Sequence, residues 1–355
     1  MTSSTSLILP PLSAIYGALM RARLTAYRRG WFSVAKLAAP VISVGNLTTG
    51  GTGKTPLVEW VCRVLAAGQA APGGSQPGRK VCVLTRGYGR ANPQSQVVVS
   101  NGMELLAGER EAGDEPFLLA KNLRGIAAVI ANPNRVAAGE WALTNLGSEV
   151  FVLDDGFQHL HLARDLDIVT IDATIPFGHG ALLPAGRLRE PLSGLSRAHC
   201  LVITRTEQVE DWAAIKATVE QVAGSIPVFS SRMVTSRIYQ LGSDELDQAK
   251  LPSQPLGAFC GVGNPDSFFN HLRRAGYALA FTRRFPDHYH YKQSDLDQLV
   301  EQVRSSGAGA LITTAKDATK LASLSLGVPC YVLEIKISID DEDRLVEIIQ
   351  AKSIL

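Results

Sequence analysis

The stretch VISVGNLTTGGTGKTPLVEW, residues 41–60, sets an apolar, β-branched run before a glycine-rich turn that opens directly into a second run of helical spacing. A chain built this way has few options, because a strand that is apolar along its whole length must be covered on both faces. The same pattern recurs downstream. VCVLT (81–85), IAAVI (126–130), VFVL (150–153), DIVTI (167–171) and CLVIT (200–204) alternate with helical patterns at 54–67, 115–123, 135–146 and 208–223. This alternation predicts an α/β fold, a P-loop NTPase-like, mostly parallel sheet with helices on both faces.

A strand that ends in such a turn aims successive backbone N–H groups and the positive end of a helix dipole at one point, which suits a phosphate. In TTGGTGKT (48–55), Gly50, Gly51 and Gly53 permit the bend, and Thr48, Thr49 and Thr52 complete the cradle. Lys54 is spaced to reach the terminal phosphates and Thr55 to offer its hydroxyl to Mg²⁺. Pro56 falls in the first helical turn, where no N–H is missed. Thr48 stands where the common pattern has its first glycine, so the loop alone points to a nucleoside triphosphate and nothing finer.

The run VFVLDDGFQHLH (150–161) ends a strand in two carboxylates. At the carboxyl end of a parallel strand, Asp154 and Asp155 face the crevice that the phosphate loop faces, which makes them candidates for Mg²⁺. The competing reading is an Asx turn closing the strand. Arg86 and Tyr88 in TRGYGR (85–90) and Asp114 with Glu115 in AGDEPFLLA (112–120) gather at other strand ends. Asp114 has a plain alternative as a helix cap before Pro116, and His159 and His161, taken alone, read as structural.

Charge and cysteine usage bound the function further. Lys and Arg number 35 against 33 Asp and Glu, a net charge of +2, which gives no support for a nucleic-acid binder. Five dispersed cysteines without a C-x-x-C pair suggest neither a disulfide framework nor a zinc site, and fit a reducing, cytosolic compartment. No apolar run is long enough to span a bilayer. The length suits two domains. Residues 39–225 read as the P-loop core and 241–328 as a smaller α/β domain, joined by strand-like runs at 226–240 and 329–340 that pair as a linker, with a last helix in 341–355.

Residues 1–38 stand apart. No acidic residue precedes Glu59, whereas Arg21, Arg23, Arg28, Arg29 and Lys36 do. Leu12, Ile15, Tyr16, Leu19, Met20, Leu24 and Tyr27 recur at steps of three and four beside Trp31 and Phe32, which predicts one apolar helical face. Such a basic amphipathic helix packs either on the protein's own core or in a membrane interface; a signal peptide is disfavoured because the charges follow the apolar stretch.

The ordered set GNLTTGGTGKTP (45–56), TRGYGR (85–90), GDEPFLLA (113–120), LDDGFQH (153–159), LLPAGRLREP (182–191), GVGNPDSFF (261–269), FPDHYHY (285–291) and TTAKDATK (313–320) resembles the tetraacyldisaccharide 4'-kinases, the lipid A 4'-kinases of Gram-negative bacteria. The resemblance implies transfer of the ATP γ-phosphate to the 4'-hydroxyl of an acylated glucosamine disaccharide 1-phosphate, with ATP and Mg²⁺, in lipopolysaccharide synthesis. It implies Asp114 as the base that takes the hydroxyl proton, His288 as its orienting partner, and Lys54 on the transferring phosphoryl. Thr55, Asp154, Asp155 and Glu190 would surround the metal, and Arg86, Tyr88, Gln158, His159 and Arg189 would meet substrate. It also gives the basic start a purpose, as a peripheral anchor on the anionic cytoplasmic face of the inner membrane, with no obligate protein partner implied. Tyr289 after His288, and Ala315 in TTAKDATK, stand where the family more often has His and Glu.

Other classes fit the loop alone: a P-loop GTPase or ATPase switch or metallochaperone, a membrane-tethered nucleotide-binding adaptor, or a soluble small-molecule kinase. Guanine selectivity usually needs N-K-x-D, and the nearest string, AKDA (315–318), sets Asp directly after Lys.

Overall fold

A computed structural model describes residues 5–71, 74–76, 78–243, 251–321 and 324–353. Helix α1 (Thr5–Arg28) precedes strand β1 (Val41–Asn46) and helix α2 (Lys54–Ala67). A small hairpin of β2 (Gln69–Ala71) and β3 (Gly74–Gln76) leads to β4 (Val81–Thr85), β5 (Val97–Ser100), α3 (Glu109–Ala112) and α4 (Asp114–Asn122). Then follow β6 (Ala127–Ala131), α5 (Arg135–Leu146), β7 (Val150–Asp154), β8 (Leu166–Asp172), β9 (Cys200–Thr204) and α6 (Ala213–Ala223). The second half holds β10 (Val228–Gln240), β11 (Leu256–Cys260), α7 (Pro265–Arg274), β12 (Leu279–Arg284), α8 (Gln293–Ser306), β13 (Ala310–Thr314), α9 (Ala315–Thr319), β14 (Cys330–Ile339) and α10 (Glu342–Ser353).

Apart from the β2–β3 hairpin, these strands form one twelve-stranded sheet in the order β12-β11-β13-β14-β10-β9-β8-β1-β7-β4-β6-β5. Pairing is parallel except between β10 and β14 and between β5 and β6. The six apolar runs of the first half all form strands, each buried from end to end. Helices cover both faces: Ile42 and Val44 of β1 cluster with Val58, Val61 and Leu65 of α2 and with Leu345 and Ile349 of α10. Val41 turns the other way, into a cluster with Phe151, Leu153 and, from α5, Ala138 and Ala142.

Three elements differ from expectation. The expected helix at 208–223 begins only at Ala213, because Thr206–Gln208 form a 3₁₀ turn after a left-handed Arg205 and the Asp211 carboxylate accepts from the Ala213 N–H at 2.7 Å. Strand β5, an antiparallel edge, follows a turn-rich stretch and was not anticipated. Helix α1 is two-sided rather than one-sided. Its Tyr16 hydroxyl donates to the Arg189 carbonyl at 2.7 Å, and Ser13 donates to the Leu182 carbonyl at 3.0 Å and accepts from the Ala185 N–H at 2.9 Å. Gly17 lies so close to this segment that a Cβ there would come within 2.6 Å of the Leu182 side chain. Leu12, Ile15 and Leu19, 45–65% exposed, face outward instead, as do Trp31 and Phe32. The polar contacts to the 182–189 segment select which apolar residues face in.

Strand β10 pairs in parallel with β9 through Val228, Phe229 and Ser230, then antiparallel with β14 from Ser231 to Gln240. A single strand thus carries the sheet from one half into the other. Its register shifts between Thr235 and Arg237, and Arg237 forms a forked ion pair with Glu334 of β14 at 2.6 and 2.9 Å.

Candidate active site

Parallel pairing of β1 with β7 sets Val44 beside Asp154, so the phosphate loop and the acidic strand end emerge side by side. Gly50 (φ 109°) and Gly53 (φ 79°) sit where L residues are strained, and Gly53 caps α2. Thr52 is buried against Thr170, hydroxyl to hydroxyl at 2.9 Å, and the Thr49 N–H donates to the Arg187 carbonyl at 2.8 Å. A bond from Asn46 Nδ2 to the Thr48 carbonyl, 2.7 Å, folds the start of the loop back on β1. Lys54 Nζ donates to Asn46 Oδ1 at 3.1 Å and lies 3.5 Å from Asp155 Oδ1.

The two aspartates differ. Burial, with Glu115 and Asp155 nearby, pushes Asp154 up to about 6, and its Oδ2 accepts from the Thr85 hydroxyl at 3.0 Å. Asp155 takes a left-handed conformation (φ 55°) that turns it toward cations; burial opposes ionisation, but Lys54 and Arg189 pull it down to about 2. Arg189 reaches Asp155 Oδ2 at 2.6 Å, Gln158 Oε1 at 3.2 Å and Asn46 Oδ1 at 3.0 Å. Glu190 lies behind this group, fully buried, its carboxylate held by Arg197 at 2.8 Å and by Gln158 Nε2 at 2.7 Å. Among the described residues, no three His, Cys, Asp or Glu side chains gather as a ready-made metal cage.

Asp114 opens α4 after Gly113 (φ 90°), where a Cβ would come within 2.5 Å of the Tyr88 carbonyl. Gly113, not Asp114, occupies the cap position. The Asp114 carboxylate meets His288 Nδ1 at 3.0 and 3.1 Å and Lys320 Nζ at 3.0 Å. Burial works against its ionisation, but the His288 hydrogen bond and the two lysines Lys316 and Lys320 hold it well below the usual carboxylate range. The same hydrogen bond raises His288, against its partial burial.

Arg86 stacks over the Tyr88 ring at 5.1 Å and donates to its hydroxyl at 3.1 Å; both are exposed. His159 is half-buried, and burial with Arg135 and Arg164 lowers it to about 4, so it is neutral at pH 7. Residues that the sequence reading passed over fill out the site. Asn46 joins Lys54 to Arg189. Arg135, buried at the start of α5, sits in the field of Asp154 and Asp155. Arg205 donates to the Gly51 carbonyl at 2.8 Å and pairs with Asp172, which also accepts from Asn264 Nδ2 at 3.0 Å. The signal for Arg205 was available, since it follows directly on the end of parallel strand β9, and Arg135 follows β6 by four residues, at the first position of α5. Thr55, Glu115, Asn264 and Lys316 line one cavity of about 660 Å³ between the two halves of the sheet.

The family model for LpxK, tetraacyldisaccharide-1-P 4'-kinase, matches residues 5–353. A relative from Geobacter metallireducens named tetraacyldisaccharide 4'-kinase is 41% identical over 95% of this chain and 95% of its own. One of the same name from Desulfotalea psychrophila is 35% identical over 95% and 94%. Among solved structures, LpxK from Aquifex aeolicus in complex with ATP matches with a TM-score of 0.73 at 30% identity over the whole of both chains.

Proposed function

Because the chain belongs to the tetraacyldisaccharide-1-P 4'-kinase family, and is a kinase of lipid A biosynthesis, we propose a residue-level account of how it moves the γ-phosphate of ATP to the 4'-hydroxyl of the tetraacyldisaccharide. One observation carries the account. Thr55 at the mouth of the phosphate loop, Glu115 beside Asp114, and Lys316 line a common cavity, which supports a reading in which nucleotide and acceptor approach from one side.

Phosphoryl transfer asks for alignment and charge neutralisation more than for covalent chemistry. The N–H groups of residues 50–55 receive the β- and γ-phosphates, and Lys54 leaves Asn46 and Asp155 to follow the transferring phosphoryl. Thr55, Asp154 and Asp155 offer only hard oxygen donors, the set that suits Mg²⁺, and Asp155 Oδ1 is buried with no hydrogen bond, its cation Lys54 standing off at 3.5 Å. A Mg²⁺ held by these residues would supply positive charge to neutralise what develops on the phosphoryl group. Glu190 acts behind them by fixing Gln158. Asp114 takes the proton of the sugar hydroxyl, oriented by His288. Arg86 with Tyr88, and Arg189 with Gln158 and His159, face the acceptor, where a guanidinium suits a phosphate.

Residues 39–225 act as the transfer core and 241–328 as a lobe carried on 226–240 and 329–340, with His288 reaching back to Asp114. The outward face of α1, with Trp31, Phe32 and the basic residues around them, docks as a peripheral anchor on the anionic cytoplasmic leaflet of the inner membrane. Among the described residues no helix is long and apolar enough to cross a membrane. Each basic residue near such a leaflet contributes about 1 kcal/mol.

The test is incubation with γ-labelled ATP, Mg²⁺ and tetraacyldisaccharide 1-phosphate. Label is expected on the sugar with the natural chain, and only in traces with Asp114→Asn, which should still bind ATP. Label reaching water rather than the disaccharide would overturn the account.

A further inference from the structure

We propose that Lys316 and Lys320, one helical turn apart at α9, are positioning residues that hold the Asp114–His288 pair in register; this rests on the reading of Asp114 as the acceptor base. The turn that carries them is itself fixed. Asp317 is fully buried and accepts from the Thr314 hydroxyl at 2.7 Å, the Tyr291 hydroxyl at 2.9 Å and the Gly261 N–H at 3.0 Å. With Asp317 pinned on that side, residues four apart in sequence share another face of the turn, which sends Lys316 and Lys320 together toward the start of α4.

Their geometry divides the work. Lys320 Nζ lies 3.0 Å from Asp114 Oδ2, and its side chain is only 3% exposed. Lys316 Nζ lies 2.9 Å from Glu115 Oε1, 3.2 Å from Asp287 Oδ1, 4.0 Å from Asp114 Oδ2 and 3.5 Å from His288 Nε2. Three carboxylates, from α4 and from the loop after β12, therefore crowd around one imidazole. Without cations among them they would repel one another, and Asp114 would be pushed off His288. Lys316 neutralises Glu115 and Asp287, and Lys320 fixes Oδ2 of Asp114. The other oxygen, Oδ1, is set by the Glu115 N–H at 3.0 Å and by His288 at 3.1 Å. Buried ammonium groups are costly unless paired, and these two are paired by the carboxylates around His288: Lys320 by Asp114, Lys316 by Glu115 and Asp287. Asp114 belongs to the first half of the sheet, whereas His288 and both lysines belong to the second. The lysines are thus the clasp that keeps the base assembled across the cavity.

The test uses full-length enzyme with ATP and the disaccharide lipid. Lys320→Met should lower kcat by about 10- to 100-fold, a fraction of what a positioned base contributes, with KM for both substrates within about twofold of normal. Lys320→Arg should restore part of the loss. In an Asp114→Asn background, Lys320→Met should cost nothing further, because the group it positions no longer acts. Lys316→Met reads the same claim at a less buried site. Its loss of charge should also raise the NMR titration midpoint of His288, which then faces Asp114, Glu115 and Asp287 with only Lys320 to balance them. Normal kcat in both lysine variants, an equal loss in the Asp114→Asn background, or a rise in KM alone would overturn the proposal. Near-normal kcat in Asp114→Asn itself would instead overturn the reading of the base.

Discussion

Lys54 has two partners, Asn46 and Asp155, and the proposed role requires both to yield when a phosphate arrives. Lys54→Ala should therefore lower kcat by about 10² to 10⁴, the scale for losing one preorganised charge, as initial rates with saturating ATP would measure. Asp154 supplies a pH dependence. Its folded-state value of about 6 lies above the ordinary 3.8, so the protein gains stability from its proton below about pH 4 and loses that gain as pH rises through 6. At pH 7.5 the ionised group is a liability of about 2 to 3 kcal/mol, at roughly 1.4 kcal/mol per unit. Asp154→Asn should raise the Tm of the nucleotide-free protein at pH 7.5 and change it little at pH 4; a uniform change across pH would contradict this. Mg²⁺-nucleotide binding should weaken as pH falls through 6, which calorimetry at two pH values would detect. The carboxylates and the loop lysine were legible because each ends or begins an apolar run. Asn46 and Lys320 were not, since their roles come from partners 143 and 206 positions away, and no local pattern encodes such a meeting.

At the scale of elements, the core strands were readable because burial on both faces leaves only apolar residues. Helix α1 was half-readable: the spacing of three and four was correct, but polar contacts to residues 182–189 divide the apolar residues between two faces. Replacing Leu12, Ile15 and Leu19 together with serine should weaken binding to anionic vesicles while leaving Tm within a few degrees, because these side chains touch solvent rather than core. Unchanged flotation would contradict the docking role. Gly17→Val should do the reverse, loosening α1 from Leu182 and lowering thermal stability of that contact, visible as faster hydrogen exchange in α1.

Across the whole molecule, one continuous sheet joins the halves through β10 and β14, and the turn 261–264 comes to rest on the phosphate loop. A Cβ at Gly263 would stand 2.7 Å from the Gly51 nitrogen and 3.0 Å from an Asp287 oxygen. Gly263→Ala should thus hold the halves apart and lower kcat/KM for ATP about tenfold, as expected when closure assembles a site; unchanged kcat/KM would mean that the turn withdraws during turnover. How the halves meet was the least legible part of the fold, because Gly263 reads in sequence as an ordinary turn residue. The hydroxyl of Tyr16 has a consequence for reach. From the inward face of α1 it ties the helix to the backbone of Arg189, the residue that grips Asp155. On the proposed docking of α1, the distance from the lipid surface to the reacting phosphate would be set by a rigid spacer instead of a tether, so lengthening or shortening that helix by a turn would change which depth of headgroup the enzyme can work on.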